Sequence, residues 1–82
     1  MHVDVTVYGN LKRKVGGHQL RLELDPQRAS VADLGRRLEE AYPALSGSLA
    51  TVAYAVGGQV VGGDYALADG DSVALLPPVS GG

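Results

Sequence analysis

Residues 72–82 read Ser72-Val73-Ala74-Leu75-Leu76-Pro77-Pro78-Val79-Ser80-Gly81-Gly82, and the first five of them decide the fold. Ser72 to Leu76 is almost continuously apolar, so as a strand it belongs in the middle of a sheet. The first strand makes a similar demand. Val3, Val5 and Val7 alternate with Asp4, Thr6 and Tyr8, the period of two that marks a strand with one buried face. Placing these two strands side by side and parallel satisfies both. Parallel neighbours cannot be joined by a tight turn, so the chain between them must cross over the sheet.

That connection has room for a helix. Leu20, Leu22 and Leu24 alternate with Arg21, Glu23 and Asp25 as a second strand, paired with the first as a hairpin and closed by Pro26. Gly9-Asn10 and Val15-Gly16-Gly17-His18 bracket the loop between them, which carries Lys12-Arg13-Lys14. The period then changes. Ser30 is a good N-cap, with Asp33 three residues on as a weak capping box. Val31, Leu34, Leu38 and Ala41 make one apolar stripe, with Arg36, Arg37, Glu39 and Glu40 on the wet face. Pro43 ends the helix near Tyr42. Gly35 inside it costs up to ~1 kcal/mol against alanine, which points to a close approach of helix and sheet.

Ala44 to Ser48 reads as an irregular, turn-rich link, Val52 to Val56 as the third strand, Gly57-Gly58 as a two-residue hairpin turn and Gln59-Val60-Val61 as a short return strand. Gly62-Gly63 stops that strand, and Asp69-Gly70-Asp71 turns into the last one. The result is an α+β chain: a mixed sheet of four to five strands with one helix packed on one face. That order is the β-grasp, or ubiquitin-like, arrangement. Residues 1–76 form the domain and residues 77–82 an extended C-terminal Gly-Gly tail.

Composition narrows the function. A chain of 82 residues makes one domain, which buries only roughly 60% of its unfolded surface and has little room for an enzyme cleft. There is no cysteine, which excludes disulfides and thiol catalysis, and two histidines are too few for a structural zinc site. A net charge of −2 argues against nucleic acid as a partner. No apolar run approaches the ~18 residues needed to cross a bilayer, and Met1 to Val5 reads as a strand and not as a signal peptide. The expectation is a cytoplasmic protein with no membrane partner. Lys12-Arg13-Lys14 reads as a solvated loop cluster, with steering of a partner as the other reading.

The tail is the part that carries chemistry. Pro77-Pro78 ends sheet pairing and holds the backbone extended, and six extended residues reach up to ~20 Å. Gly81-Gly82 offers backbone without side chains, fit for a channel too narrow for a Cβ. The carboxylate of Gly82 is its only functional group; Ser80 has no neighbouring base to make it a nucleophile. A frayed, inert C-terminus is the competing reading.

These segments resemble the ThiS/MoaD-type ubiquitin-like sulfur carriers. The likeness covers the first strand, the Ser30-to-Pro43 helix, the Val56-Gly57-Gly58-Gln59 hairpin and Leu67 to Gly82. Within that family, Leu67-Ala68-Asp69-Gly70-Asp71 followed by Leu76-Pro77-Pro78-Val79-Ser80-Gly81-Gly82 is most similar to the small subunits of molybdopterin synthase. The chain departs from its relatives in having no phenylalanine. The resemblance implies a non-catalytic carrier that binds no cofactor. An ATP-dependent adenylyltransferase of ubiquitin-activating type would adenylate Gly82, and sulfur would replace AMP to give a thiocarboxylate. The large catalytic subunit of molybdopterin synthase would receive the tail, and the sulfur would pass to a pterin precursor. Carriers for cysteine, thiamine or tRNA thiolation, a ubiquitin-like protein modifier, and an interaction module with an inert tail remain alternatives.

Leu76, Pro77, Pro78, Val79, Ser80 and Gly81 are the expected partner contacts. Leu76 and Ala74 should face away from the helix, opposite to Val73 and Leu75, and Tyr8 should extend the same patch. Tyr54 and Tyr65 read as framework residues, and His2 and His18 as surface residues. Glycines 57-58 and 62-63 read as turns and not as a phosphate loop, since no Gly-Lys-Ser/Thr follows.

Overall fold

The computed structural model describes residues 1–77. Its strands are β1 (His2–Val7), β2 (Gln19–Glu23), β3 (Ala53–Val56), β4 (Gln59–Val61) and β5 (Ser72–Leu76), with helices α1 (Leu11–Val15) and α2 (Val31–Ala41). They form a five-stranded sheet in the order β2-β1-β5-β3-β4. β5 is central and parallel to β1, with Val5 level with Val73 and Val7 level with Leu75; the other pairings are antiparallel. This is the β-grasp expected from the two apolar strands.

The period of two delivers one face of each strand to α2. Val3, Val5, Val7, Val73 and Leu75 are buried against Val31, Leu34, Leu38, Leu45 and Leu67. The buried set is wholly aliphatic among the described residues, with no buried polar side chain. Each such side chain contributes about 1.5–3 kcal/mol by leaving water. α2 starts on a complete capping box: the Ser30 hydroxyl accepts from Asp33 N–H at 3.1 Å, and the Asp33 carboxylate accepts from Ser30 N–H at 3.1 Å. It stops at Ala41, before Tyr42-Pro43. The stripe ends one turn earlier than its spacing predicts, because Ala41 is exposed.

Three local expectations are corrected. The segment with Lys12-Arg13-Lys14 is not a loop but the single helical turn α1, anchored by buried Leu11 and ended by Gly16 at φ 76°, whose N–H donates to Lys12 C=O. A single turn is too short to show a helical period. The link is turn-rich as expected but less irregular: a 3₁₀ turn, Pro43–Leu45, opens it and a second, Leu49–Thr51, follows it, each pinned by one buried leucine. Tyr65 is a framework residue only through its backbone. Its carbonyl accepts from Val31 N–H at 2.9 Å, while its side chain is 40% exposed. Tyr54, by contrast, packs against the core.

Turn chemistry ties the far end of the sheet together. Gly57 and Gly58 take φ of 59° and 82° in the β3–β4 hairpin, geometry that a two-residue turn of this hand requires. The Asp69 carboxylate accepts from His2 N–H at 2.7 Å, and the Gly70 N–H donates to His2 C=O at 2.8 Å. The turn before β5 is thereby clamped to the start of β1.

Candidate functional site

The face of the sheet turned away from α2 is set by register. Ala74 of β5 lies beside Thr6 of β1 and Ala55 of β3, and Leu76 lies opposite Ala53. Across the Gly57-Gly58 turn, Val60 falls opposite Ala55. Ala53, Ala55 and Ala74 therefore make a low apolar floor, with Leu76 at one end and Val60 at its edge. Val60 is 68% exposed. The β1–β2 half of the same face is polar. There Asp4 pairs with Arg21 at 2.9 Å in the open, flanked by Gln19 and Glu23.

Of the residues singled out in the sequence, the structure brings Leu76, Pro77 and Tyr8 to one corner of this face. Leu76 is half-buried and outward, as the alternation with Val73 and Leu75 predicts. Tyr8 follows Val7, which is level with Leu75, so it sits at the level of Leu76. Its ring is exposed and meets His18 edge-on at 5.7 Å. Pro77 leaves the strand over Gly9, where a side-chain carbon would lie 3.4 Å from the proline ring. That is an ordinary contact; what favours glycine at this corner is the φ of 63° at Gly9. Pro78, Val79, Ser80, Gly81 and Gly82 lie outside the described residues.

The sequence places Ala74 and Leu76 on this face, but not Ala53, Ala55 or Val60. The signal was present in the Gly57-Gly58 turn, whose fixed two-residue length sets the β3–β4 register and so the side on which Val60 emerges.

No group of three or more His, Asp or Glu side chains that could hold a metal occurs among the described residues. Two shallow grooves flank α2, on the other face. One is lined by charges of both signs, among them Glu23, Asp25, Arg28, Arg37 and Glu40. The other lies over Gly35, Leu49 and Tyr54. Burial, and then the charge of Glu39, push the Tyr54 phenol above its usual value of 10.0, so it stays neutral and protonated. What the outward face offers is an exposed apolar floor beside Leu76 and Pro77. No helix among the described residues is long and apolar enough to cross a membrane.

Comparison with known proteins gives four matches. The profile of the ThiS family matches residues 5–82. The molybdopterin synthase sulfur carrier subunit of Chlamydomonas reinhardtii is 32% identical over 84 aligned positions, covering 100% of both chains. Among solved structures, SAMP1, a small archaeal modifier protein of Haloferax volcanii, superposes with a TM-score of 0.88 at 28% identity, covering 100% of both chains. A subunit in the complex of subunits 1 and 2 of the molybdopterin-converting factor of Helicobacter pylori superposes at 0.70 with 25% identity, again over 100% of both chains.

Proposed function

This chain belongs to the ThiS family, and from that premise we propose that it is a sulfur carrier working as the small subunit of molybdopterin synthase, with the carboxylate of Gly82 as its working group. The observation that carries the reading is the match along both whole chains with a molybdopterin synthase sulfur carrier subunit. It is supported by a central strand that delivers Leu76-Pro77 to the corner of an exposed apolar face.

The chemistry follows from the acyl group. A carboxylate is a poor acyl donor, so an adenylyltransferase of ubiquitin-activating type joins Gly82 to AMP and releases pyrophosphate from ATP. A persulfide sulfur displaces AMP, and cleavage of the sulfur–sulfur bond by a thiol leaves a thiocarboxylate. The tail then enters the large catalytic subunit, and its sulfur passes to a pterin precursor. ATP is the activating enzyme's substrate; the carrier binds no cofactor of its own. We place the carrier in the cytoplasm, where its ATP-dependent partner works. Residues 1–76 are the docking body and residues 77–82 the arm. Leu76, Pro77 and Tyr8 contact the partner beside the entrance, and Pro78, Val79, Ser80 and Gly81 occupy the channel. The Helicobacter complex of two subunits supports a large-subunit partner.

Incubation with the activating enzyme, ATP and a sulfur donor should raise the intact mass by the difference between sulfur and oxygen. An unchanged mass, with the enzyme active on its own carrier, would overturn the reading. The likeness to SAMP1 favours a second reading, in which Gly82 joins target lysines. That reading predicts a ladder of heavier conjugates in native extracts, whereas a pure carrier gives none.

A further inference from the structure

The charges are sorted along the strands. Residues 5–22 and 41–63 contain no Asp or Glu, and within them Lys12, Arg13 and Lys14 are consecutive. α1 places these three on one exposed turn. That turn springs from Gly9, over which Pro77 leaves the sheet, and Lys12 N–H donates to Gly9 C=O at 3.2 Å. The two ion pairs among the described residues are Arg21–Asp4 and Arg36–Asp33, and neither involves them. Lys14 donates instead to the Ser48 hydroxyl. The carboxylates Glu23, Asp25, Asp69 and Asp71 gather at the other end of the strands, around His2 and Met1.

The two poles act separately. β1 has six residues, so the ends stand ~20 Å apart at ~3.3 Å per residue, more than twice the ~8 Å over which salt screens a surface charge. Consecutive helical positions diverge by ~100° each, so the three cations cannot close on one small anion. They spread as a cap. A chain of net charge −2 is repelled on average by an acidic surface; Arg28, Arg36 and Arg37 stand among Glu23, Asp25, Asp33 and Glu40, so the cation run on α1 is the end drawn to one. The same field that draws the Pro77 corner in turns the opposite end away, which selects orientation as well as rate.

We propose that Lys12, Arg13 and Lys14 are a steering cap that turns the carrier tail-first toward an acidic rim around the channel of its activating adenylyltransferase. This inference rests on the sulfur-carrier reading. It adds a docking contact separate from the apolar face, made by cations that touch no reacting atom.

The test is ATP–pyrophosphate exchange by the activating enzyme, measured against carrier concentration from low to physiological salt. Replacing the cap (Lys12→Gln, Arg13→Gln and Lys14→Gln together) should raise KM about tenfold at low salt and flatten its salt dependence. kcat should not change, because the reacting carboxylate belongs to Gly82, five residues on from Pro77, and the cap touches no reacting atom. Glutamine matches lysine and arginine in helix propensity, and circular dichroism checks that the fold is kept. A matched variant losing three charges from the α2 side (Arg28→Gln, Arg36→Gln and Arg37→Gln) should keep the wild-type KM. Equal KM and equal salt slope in wild type and cap variant would overturn the steering cap while leaving the carrier reading intact. No exchange with wild type at any salt would overturn both. Retention of the wild type, but not of the cap variant, on a single-stranded oligonucleotide with exchange kinetics unchanged would assign the cap to nucleic acid and also overturn the proposal.

Discussion

Gly35 of α2 meets the hydroxyl of Tyr54 on β3 so closely that a side-chain carbon at position 35 would lie 2.9 Å from that oxygen. This contact explains why a helix tolerates its poorest ordinary residue at a buried position. It also predicts a change of sign. Gly35→Ala alone should destabilise by about 1–2 kcal/mol, because the Tyr54 ring must shift in a packed layer. With the hydroxyl removed by Tyr54→Phe, the nearest remaining atom is the ring carbon at 3.9 Å, an ordinary contact. In that background Gly35→Ala should stabilise by about 0.5–1 kcal/mol through helix propensity. Urea unfolding of the four proteins in this cycle measures the coupling; an unchanged sign would place the restraint elsewhere.

The capping box at Ser30 and Asp33 sets a pH dependence. Hydrogen bonds from Ser30, first its backbone N–H and then its hydroxyl, hold the Asp33 carboxyl below its ordinary value of 3.8, with Arg36 adding to the effect. A depressed folded-state value means the carboxylate's contribution is complete above pH 3.8 and is lost as pH falls through the lower folded value. The stability gap between wild type and Asp33→Asn should thus be flat at neutral pH and close in acid. A gap that widened on acidification would contradict the assignment. Ser30→Ala, which removes the other half of the box, should cost about 1 kcal/mol at neutral pH.

Much of this architecture is legible in the residues, and the exceptions have physical causes. β1 and β5 declare themselves because Val3-Val5-Val7 and Val73-Leu75 bury completely, which leaves them one arrangement in the middle of the sheet. α2 is legible because eleven residues suffice to show a period of 3.6 and a cap. α1 is hidden because its five residues give one buried leucine and no repeat. Its stability comes from Leu11 docking on the core and from the Gly16 stop, both tertiary matters. Of the site, Leu76 and Tyr8 follow from strand alternation. Val60 requires the β3–β4 register as well, and the Gly9–Pro77 contact joins residues too far apart in sequence for any local pattern to link.

The β3–β4 turn gives a sharper test of backbone geometry than of packing. Gly57 has φ of 59° and open space around the position of a side chain, so any cost there is conformational. Gly57→Val should destabilise by about 1–2 kcal/mol, the price of a left-handed backbone for a branched residue. Gly57→Asn should fall within about 0.5 kcal/mol of wild type, since asparagine favours this turn. Thermal unfolding separates the two, and equal losses would mean that bulk and not backbone geometry limits the site.

Val60 tests the docking face most cleanly because it does little for the fold. At 68% exposure on an edge strand, Val60→Lys should change stability by no more than about 0.5 kcal/mol, and lysine is a usual guard of sheet edges. In a complex the same change would set an unpaired cation against an apolar floor of Ala53, Ala55 and Ala74. That should weaken binding to the large subunit by roughly 1.4 kcal/mol or more, a tenfold rise in Kd. Arg21→Gln, on the polar half of the face, removes an exposed ion pair worth at most about 1 kcal/mol and should leave Kd nearly unchanged. Isothermal titration of each variant against the large subunit, beside its unfolding curve alone, separates docking from folding. If Arg21→Gln weakened the complex while Val60→Lys did not, the interface would lie over β1 and β2, and the alanine floor would be no part of it.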